Sequence, residues 1–280
     1  MPDAFPTLDT AVSFVAPLFV PATRPERFVK AADSGADAVI IDLEDAVAPD
    51  SKDAAREAVV SVKPLNVPSY VRVNAFGTRW FEADISALVA AGLQTVCLPK
   101  VEDIAVVDKV TGVLGPNVRI LAQIETAAGL LNAASIARHP NVIQLAFGPA
   151  DFFLDLQVGA SGSLTGYAIA TLAIASRAAS KPLPLDGPSF TIDDPSAAGE
   201  ESLSAAAFGA GGKLCIHPGQ VRPVMKSFSP TAAEVEWAHR VVAADKAGAA
   251  TVVDGKMIDA PIVLRATQLL RRAVACSSKP

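Results

Sequence analysis

The sequence predicts an α/β fold, and within that class a (β/α)8 TIM barrel followed by a C-terminal helical lid segment. Three observations carry this. Short, β-branched or aliphatic runs recur along the chain, continuous as in strands buried on both faces. Stretches with apolar residues at helical spacing separate them. Eight such runs occur before about residue 222, and alternation on that scale argues for a closed barrel over an open sheet. No Gly-rich dinucleotide loop or P-loop stands where an open nucleotide-binding sheet would place one.

Taken in order, SFVAPLFVP is the first strand, followed by a helix over RPERFVKAADSG; AVIIDLED is the second strand. A helix from about Ser51 to Val62 follows, with Lys52 and Arg56 beside Asp53 and Glu57 on one face. SYVRVN is the third strand, and the helix around Ala83–Ala91 ends at Gly92. TVCLPK is the fourth, then a helix and the turn Gly115-Pro116-Asn117. RILAQIE and VIQLAF are the fifth and sixth. Between them Leu130, Leu131, Ala134 and Ile136 recur at roughly helical spacing and Pro140 closes the segment. A helix from about Leu164 to Ala179 leads to KPLPLD, a seventh strand weakened by two prolines, and GGKLCIHP is the eighth.

The chain organises itself around Arg119–Asp151. Parallel neighbouring strands bring their C-terminal ends to one edge, where Glu125 and Asp151 would meet. Two hard oxygen donors suit Mg²⁺, which takes one or two carboxylates and leaves positions for water or substrate. The residues alone leave a second reading open, in which both acids cap the helices that follow. In barrels the working groups gather at the C-terminal ends of the strands. Here those ends carry Glu44 and Asp45, Arg72 and Asn74, Lys100, Glu125, Asp151, Asp186 and His217. Arg72 places a guanidinium among carboxylates, where it could hold a carboxylate or an enolate oxygen; its plainer role is an ion pair with Glu44 or Asp45.

Composition narrows the function classes. At 280 residues, 51% hydrophobic and 6% aromatic, the core is built from Ala, Val, Leu and Ile. A net charge of −5 and a pI near 5.3 argue against a nucleic-acid or anionic-membrane surface. Cys97, Cys215 and Cys276 form no framework, which fits a reducing compartment. AVSFVAPLFV has no preceding Lys or Arg and is interrupted by Pro17, so it reads as a strand and not a signal segment. No run reaches the roughly 18–20 apolar residues that span a bilayer. A soluble, cytoplasmic protein is expected.

After about Arg222 the composition changes, and domains at 1–222 and 223–280 are expected. FSPTAAEVEWAHRVVAADKAG reads as a helix, with Ser229 as N-cap and Pro230 at its first position, or with a capping box of Thr231 and Glu234 one turn later. An Ala/Gly-rich connection around Ala247–Ala250 precedes a tight turn in VVDGK. Asp259 stands before Pro261 as N-cap of a last helix reaching about Ala275.

Together the blocks LFVPATRPERFVKA, DAVIIDLEDAVAPDSKDAARE, YVRVN, VCLPKVE, IETAAGLLNAASIA, LAFGPADF, GGKLCIHPGQ and GKMIDAP resemble the citrate lyase beta-subunit-like family of acyl-CoA lyases, within the phosphoenolpyruvate/pyruvate-binding barrel superfamily. The likeness runs from Phe14 to Pro261 in the family's order. It implies Glu125 and Asp151 as Mg²⁺ ligands and Arg72 as the group that holds the reacting oxygens. Arg24 and Lys30, with Phe19 nearby, would meet the phosphates and pantetheine arm of coenzyme A. The backbone around Ile216 and His217 would line the same groove, Ala150 would join the substrate contacts, and Glu44 and Asp45 would orient waters or Arg72. Asp259 would be the acid–base residue, delivered to a neighbouring subunit of a homotrimer or hexamer. Ala22 departs from the family's usual Gly, and Ile169 from its usual Arg. The implied activity is a Mg²⁺-dependent lyase that cleaves malyl-, citramalyl- or citryl-CoA to an acyl-CoA and a 2-oxo acid. The alternatives are a malyl-CoA thioesterase and a non-catalytic metabolite-binding or accessory barrel.

Overall fold

A computed structural model describes residues 13–245 and 251–277. The expected start of the first strand at Ala11–Val12 and the connection around Ala247–Ala250 lie outside them. By its contacts the chain divides after Ser227 into two compact units.

The first unit is an α/β fold of eight parallel strands hydrogen-bonded in chain order and curled. The strands are β1 (Leu18–Pro21), β2 (Val39–Asp42), β3 (Ser69–Arg72), β4 (Thr95–Leu98), β5 (Arg119–Ile124), β6 (Val142–Phe147), β7 (Leu185–Asp186) and β8 (Gly212–Lys213). The helices are α1 (Phe28–Ala32), α2 (Lys52–Val60), α3 (Phe81–Ala90), α4 (Ile104–Leu114), α5 (Ala127–Arg138), α6 (Pro149–Asp155), α7 (Gly162–Ala178), α8 (Pro195–Ala207) and α9 (Pro218–Phe228). The two ends of the sheet also meet. Phe19 N donates to Cys215 O at 2.8 Å, Cys215 N to Pro17 O at 2.9 Å and Lys213 N to Val15 O at 2.8 Å.

The strand interiors are mostly apolar because each strand faces two layers. Inside the curl, Phe14, Ile40, Tyr70, Cys97, Leu121, Ala146, Leu185 and Leu214 pack as one cluster, with a side chain from each strand or its flank. The rings of Phe14 and Tyr70 meet edge to face with centroids 5.4 Å apart, a favoured aromatic geometry. The intervening residues, such as Ile41, are equally buried and face the other way, as a period of two requires.

Several elements differ from expectation. The first helix is a 3-10 turn at Pro25–Arg27 running into the short α1. In α5 the buried stripe is Leu130, Ala133, Ile136 and Ala137, while Leu131 is 85% exposed. β7 and β8 shrink to two residues each. The sequence reading had no helix between them, yet α8 is there, and it buries only Ala198, Gly199, Ser202 and Ala205.

The second unit contains α10 (Ala232–Asp245), the hairpin of β9 (Thr251–Val253) and β10 (Lys256–Ile258), and α11 (Ala260–Ser277). Thr231 and Glu234 form the capping box of α10: Glu234 N donates to Thr231 Oγ1 at 3.2 Å and Thr231 N to Glu234 Oε2 at 2.8 Å. Of the two starts expected, the capping box is the one present, and the start at Ser229 and Pro230 is two residues too early. Asp254 and Gly255, both at positive φ (51° and 75°), close the hairpin as a two-residue turn of the kind strand twist favours. Ala238, Val241 and Ala266 form the core of this unit. No described helix is long and apolar enough to cross a membrane.

Candidate active site at the C-terminal ends of the strands

Asp42 and Arg72 are register partners on β2 and β3, so their side chains leave the sheet together. The guanidinium grips Asp42 with one edge, Nε to Oδ1 at 2.7 Å and Nη2 to Oδ2 at 2.6 Å. Its third nitrogen, Nη1, lies 3.2 Å from Glu44 Oε2 and 3.5 Å from Asp45 Oδ2. The ring of Phe19 lies against its face, 4.6 Å from the centroid. Burial works against the charge of Arg72, but the Asp42 and Glu44 carboxylates outweigh it and push the pKa up. This guanidinium is held on two sides and has little freedom to move.

Asp42 also builds the turn that carries Glu44. Its oxygens accept from Glu44 N at 2.8 Å and Ala46 N at 3.1 Å. Beneath the turn the buried Lys52 ammonium donates to Leu43 O, Glu44 O and Asn74 Oδ1 at 2.6–2.7 Å. Asn74 is fixed in turn by Asp84, which pairs with Arg56 at 3.0 Å. The sequence reading placed Lys52 with Arg56 on a charged helix face and assigned no role to Asp42 or Asp84. The one signal that could have exposed Asp42 is its pairing in register with Arg72.

Glu125 stands just past β5 and is 2% exposed. Its oxygens accept from Gln123 Nε2 at 2.9 Å and from Lys100 N at 3.0 Å. It does not cap α5, because Thr126 does so by accepting from Gly129 N at 3.1 Å. Nor does Asp151 cap α6: it lies inside the first turn, and the N-cap residue is Gly148. Lys100 reaches both remaining acids, with Nζ 3.0 Å from Glu44 Oε1 and 3.3 Å from Asp151 Oδ1. Glu44, Arg72, Lys100, Glu125 and Asp151 thus form one cluster from five different strand ends.

The cluster is short of positive charge where it is driest. Burial first, then Glu44 and Asp151, push the Glu125 carboxyl up to about 7 against the pull of Lys100 and Arg72. Burial also raises Glu44, whose Oε2 is shut off from solvent and makes no hydrogen bond. Among the described residues, no three His, Cys, Asp or Glu side chains form a ready-made metal cage. A hard divalent cation needs only one or two carboxylates, and Glu125 and Asp151 could supply them.

Gly148 is part of this geometry. A Cβ there would overlap Glu125 Oε1 and Cγ and lie 2.6 Å from Cδ, so the carboxyl lies where only glycine leaves room. Gly148→Ala is expected to lower stability by about 1–3 kcal/mol through overpacking, read as a lower urea midpoint. An unchanged midpoint would mean that the Glu125 carboxyl relocates at no cost.

Arg24 and Lys30 are exposed, and Arg24 Nε donates to Glu26 at 2.6 Å. Ala150 is exposed beside Asp151 on α6. The amides of Ile216 and His217 both donate to Gln220 Oε1, at 2.9 and 3.2 Å, and the His217 side chain is exposed. Asp186 is buried against Lys213 at 2.7 Å. Asp259 belongs to the second unit and caps α11, accepting from Ile262 N at 3.2 Å.

Comparison with known proteins adds a family. The family model described as HpcH/HpaI aldolase/citrate lyase matches residues 16–218. A citrate lyase subunit beta-like protein of Mycobacterium tuberculosis is 37% identical over 270 residues, covering 94% of this chain and 96% of that one. A (3S)-malyl-CoA thioesterase of Cereibacter sphaeroides is 33% identical over 276 residues, covering 93% and 95%. Among solved structures, protein CitE from Mycobacterium tuberculosis in complex with magnesium, acetoacetate and coenzyme A is similar with a TM-score of 0.85 at 34% identity, covering 95% of this chain and all of that one.

Proposed function

Since the chain belongs to the HpcH/HpaI aldolase/citrate lyase family, we propose that it is a Mg²⁺-dependent carbon–carbon lyase. Its substrate would be a short β-hydroxyacyl-CoA of the malyl-, citramalyl- or citryl-CoA kind, cleaved reversibly to an acyl-CoA and a 2-oxo acid. One observation carries this reading: a doubly held guanidinium, Arg72, stands beside the carboxylates Glu44, Glu125 and Asp151 at one sheet edge. The donors fit the ion, because all are hard oxygens, and the buried Glu125 carboxylate calls for positive charge. Glu125 and Asp151 would hold it.

In the cleavage direction the β-hydroxyl loses its proton, the carbon–carbon bond breaks, and its electron pair moves onto the thioester as an enolate. Arg72 holds the charge on that oxygen. Asp259 carries the departing proton to the α-carbon, which completes the acyl-CoA. Lewis-acid polarisation of the oxygen that becomes the 2-oxo carbonyl is the chemistry a bound Mg²⁺ supplies. Arg24 and Lys30 would meet the coenzyme A phosphates as exposed cations. Residues 223–280 would act as a lid serving the neighbouring protomer of a homo-oligomer, in the cytoplasm. The hydrogen bonds between the two ends of the sheet support a closed (β/α)8 barrel.

The thioesterase relative favours a second reading, in which the same groups activate water against the thioester. Incubation with Mg²⁺ and a panel of β-hydroxyacyl-CoAs separates the two. The lyase releases a 2-oxo acid, trapped as its hydrazone, and leaves the thioester intact; the thioesterase releases a free thiol and no oxo acid. Neither product would leave a metabolite-binding barrel without turnover.

Mg²⁺ affinity should depend on pH. Glu125 must be ionised to ligate, and its folded value of about 7 lies above the ordinary 4.5. Below about pH 7, binding therefore releases a proton, and affinity should fall by about tenfold per pH unit. The metal-free fold binds more protons than the unfolded chain between these values. Its stability from this group is full below 4.5 and is lost as pH rises towards 7, a loss that saturating Mg²⁺ should reverse. Calorimetry in buffers of different ionisation enthalpy would detect the proton. PH-independent affinity between 5.5 and 7.5 would rule Glu125 out as the titrating ligand.

A further inference from the structure

Lys100 touches all three acids of the cluster. It follows β4 with a left-handed backbone, φ 49°, a conformation that costs a non-glycine residue about 1 kcal/mol or more. That backbone aims its amide at Glu125 Oε2, 3.0 Å away. The side chain turns to Glu44 and Asp151, acids that arrive from β2 and α6. Its two ion pairs are unequal. The Glu44 contact is a 3.0 Å hydrogen bond to a carboxylate whose side chain is 8% exposed. The Asp151 contact is longer, 3.3 Å, and Asp151 is 31% exposed. The ammonium is thus anchored at Glu44 and only leans on Asp151.

We propose that Lys100 is the resident counter-ion of this cluster, gives up Asp151 when a divalent cation binds, and thereby sets the affinity of the site for that cation. The inference rests on the reading of Glu125 and Asp151 as cation ligands. A fixed ammonium beside an incoming divalent cation repels it, while in the cation's absence it neutralises acids that would otherwise repel one another. Removing the ammonium should therefore act in opposite directions on the empty and loaded protein. Through linkage, the loaded form gains relative to the empty one.

Lys100→Met tests this, since Met has similar length and carries the same left-handed backbone strain, so the charge alone is lost. At pH 8, calorimetric titration with Mg²⁺ should show affinity about five- to tenfold tighter than wild type. The melting temperature in EDTA should fall, and the upward shift on adding Mg²⁺ should grow. Lys100→Gly keeps the amide to Glu125, relieves the strained backbone and should shift Mg²⁺ affinity the same way. Lys100→Arg retains the cation and should stay within about twofold of wild type. Unchanged or weaker Mg²⁺ binding in both neutral variants overturns the counter-ion role and leaves the ligand assignment standing. Absence of Mg²⁺ binding to the wild-type protein overturns both.

Discussion

Arg72→Lys is expected to lower kcat by about 10²–10³-fold, with Mg²⁺ binding largely kept. Loss of one preorganised donor at a developing oxyanion costs this much in other enzymes. Here the geometry explains why lysine is no substitute. The Nε and Nη2 edge of Arg72 is committed to Asp42 at 2.7 and 2.6 Å, and Nη1 projects towards Glu44. Only a planar fork serves both directions. A lysine ammonium is a single point charge and would settle on Asp42, leaving the reacting oxygen without its partner. Arg72→Ala should in addition cost stability, of the order of 3–5 kcal/mol, because it strands the buried Asp42 and Glu44 carboxylates. Steady-state kinetics beside a denaturant titration separates the two effects. If Arg72→Lys retained turnover within tenfold of wild type, Arg72 would be only the ion-pair partner of Asp42.

Asp259→Asn should reduce cleavage by about 10²–10⁴-fold, the usual contribution of a positioned acid–base group, without changing Mg²⁺ affinity. Asp259 stands between β10 and α11, where the two-residue turn and the capping bond to Ile262 hold the backbone still. Asparagine keeps that cap, so the substitution removes proton transfer with little effect on the second unit. The proposal that the residue serves a neighbouring protomer gives a sharper test. Mixing Asp259→Asn with Arg72→Ala protein should restore partial activity, because a hybrid site then holds both wild-type residues. If native mass spectrometry shows subunits exchanging while activity stays at zero, Asp259 acts within its own chain or only caps α11.

How much of this was legible depended on how large the side chains are. β5, α5 and β6 were plain in the sequence because runs rich in Ile, Leu and Phe stand out and Pro140 marks the stop, although Leu131 proved to be exposed. α8 was invisible for the opposite reason. Its buried stripe is Ala198, Gly199, Ser202 and Ala205, which carry almost no hydrophobic contrast with the exposed face. Among the site residues, Glu125 and Asp151 could be placed at one edge from parallel topology alone. Whether they cap the helices that follow could not be read that way, since it turns on which neighbour donates to which oxygen; Thr126 takes the cap of α5 in place of Glu125. Lys52 gave no sign of its burial, because a lysine four residues before Arg56 in a charged helix normally points to water. Its burial follows from backbone carbonyls at Leu43 and Glu44, which no side-chain pattern records. Lys100 was visible as a strand-end cation, but its left-handed backbone, which brings its amide to Glu125, was not.

The hydrogen bonds joining Phe19 to Cys215 and Lys213 to Val15 also set a schedule for synthesis. The first strand leaves the ribosome early, yet one of its edges has no partner until nearly the whole first unit has been made. At roughly 5–20 residues per second that interval lasts on the order of 10–40 s. Gln144 adds an earlier dependence on later residues, since its side chain holds both the amide and the carbonyl of Phe14. During this time an apolar strand edge is open to pairing with other nascent chains. Chaperone depletion in a cell-free system should therefore harm the yield of this protein through aggregation of incomplete chains, well before it affects the stability of the finished fold.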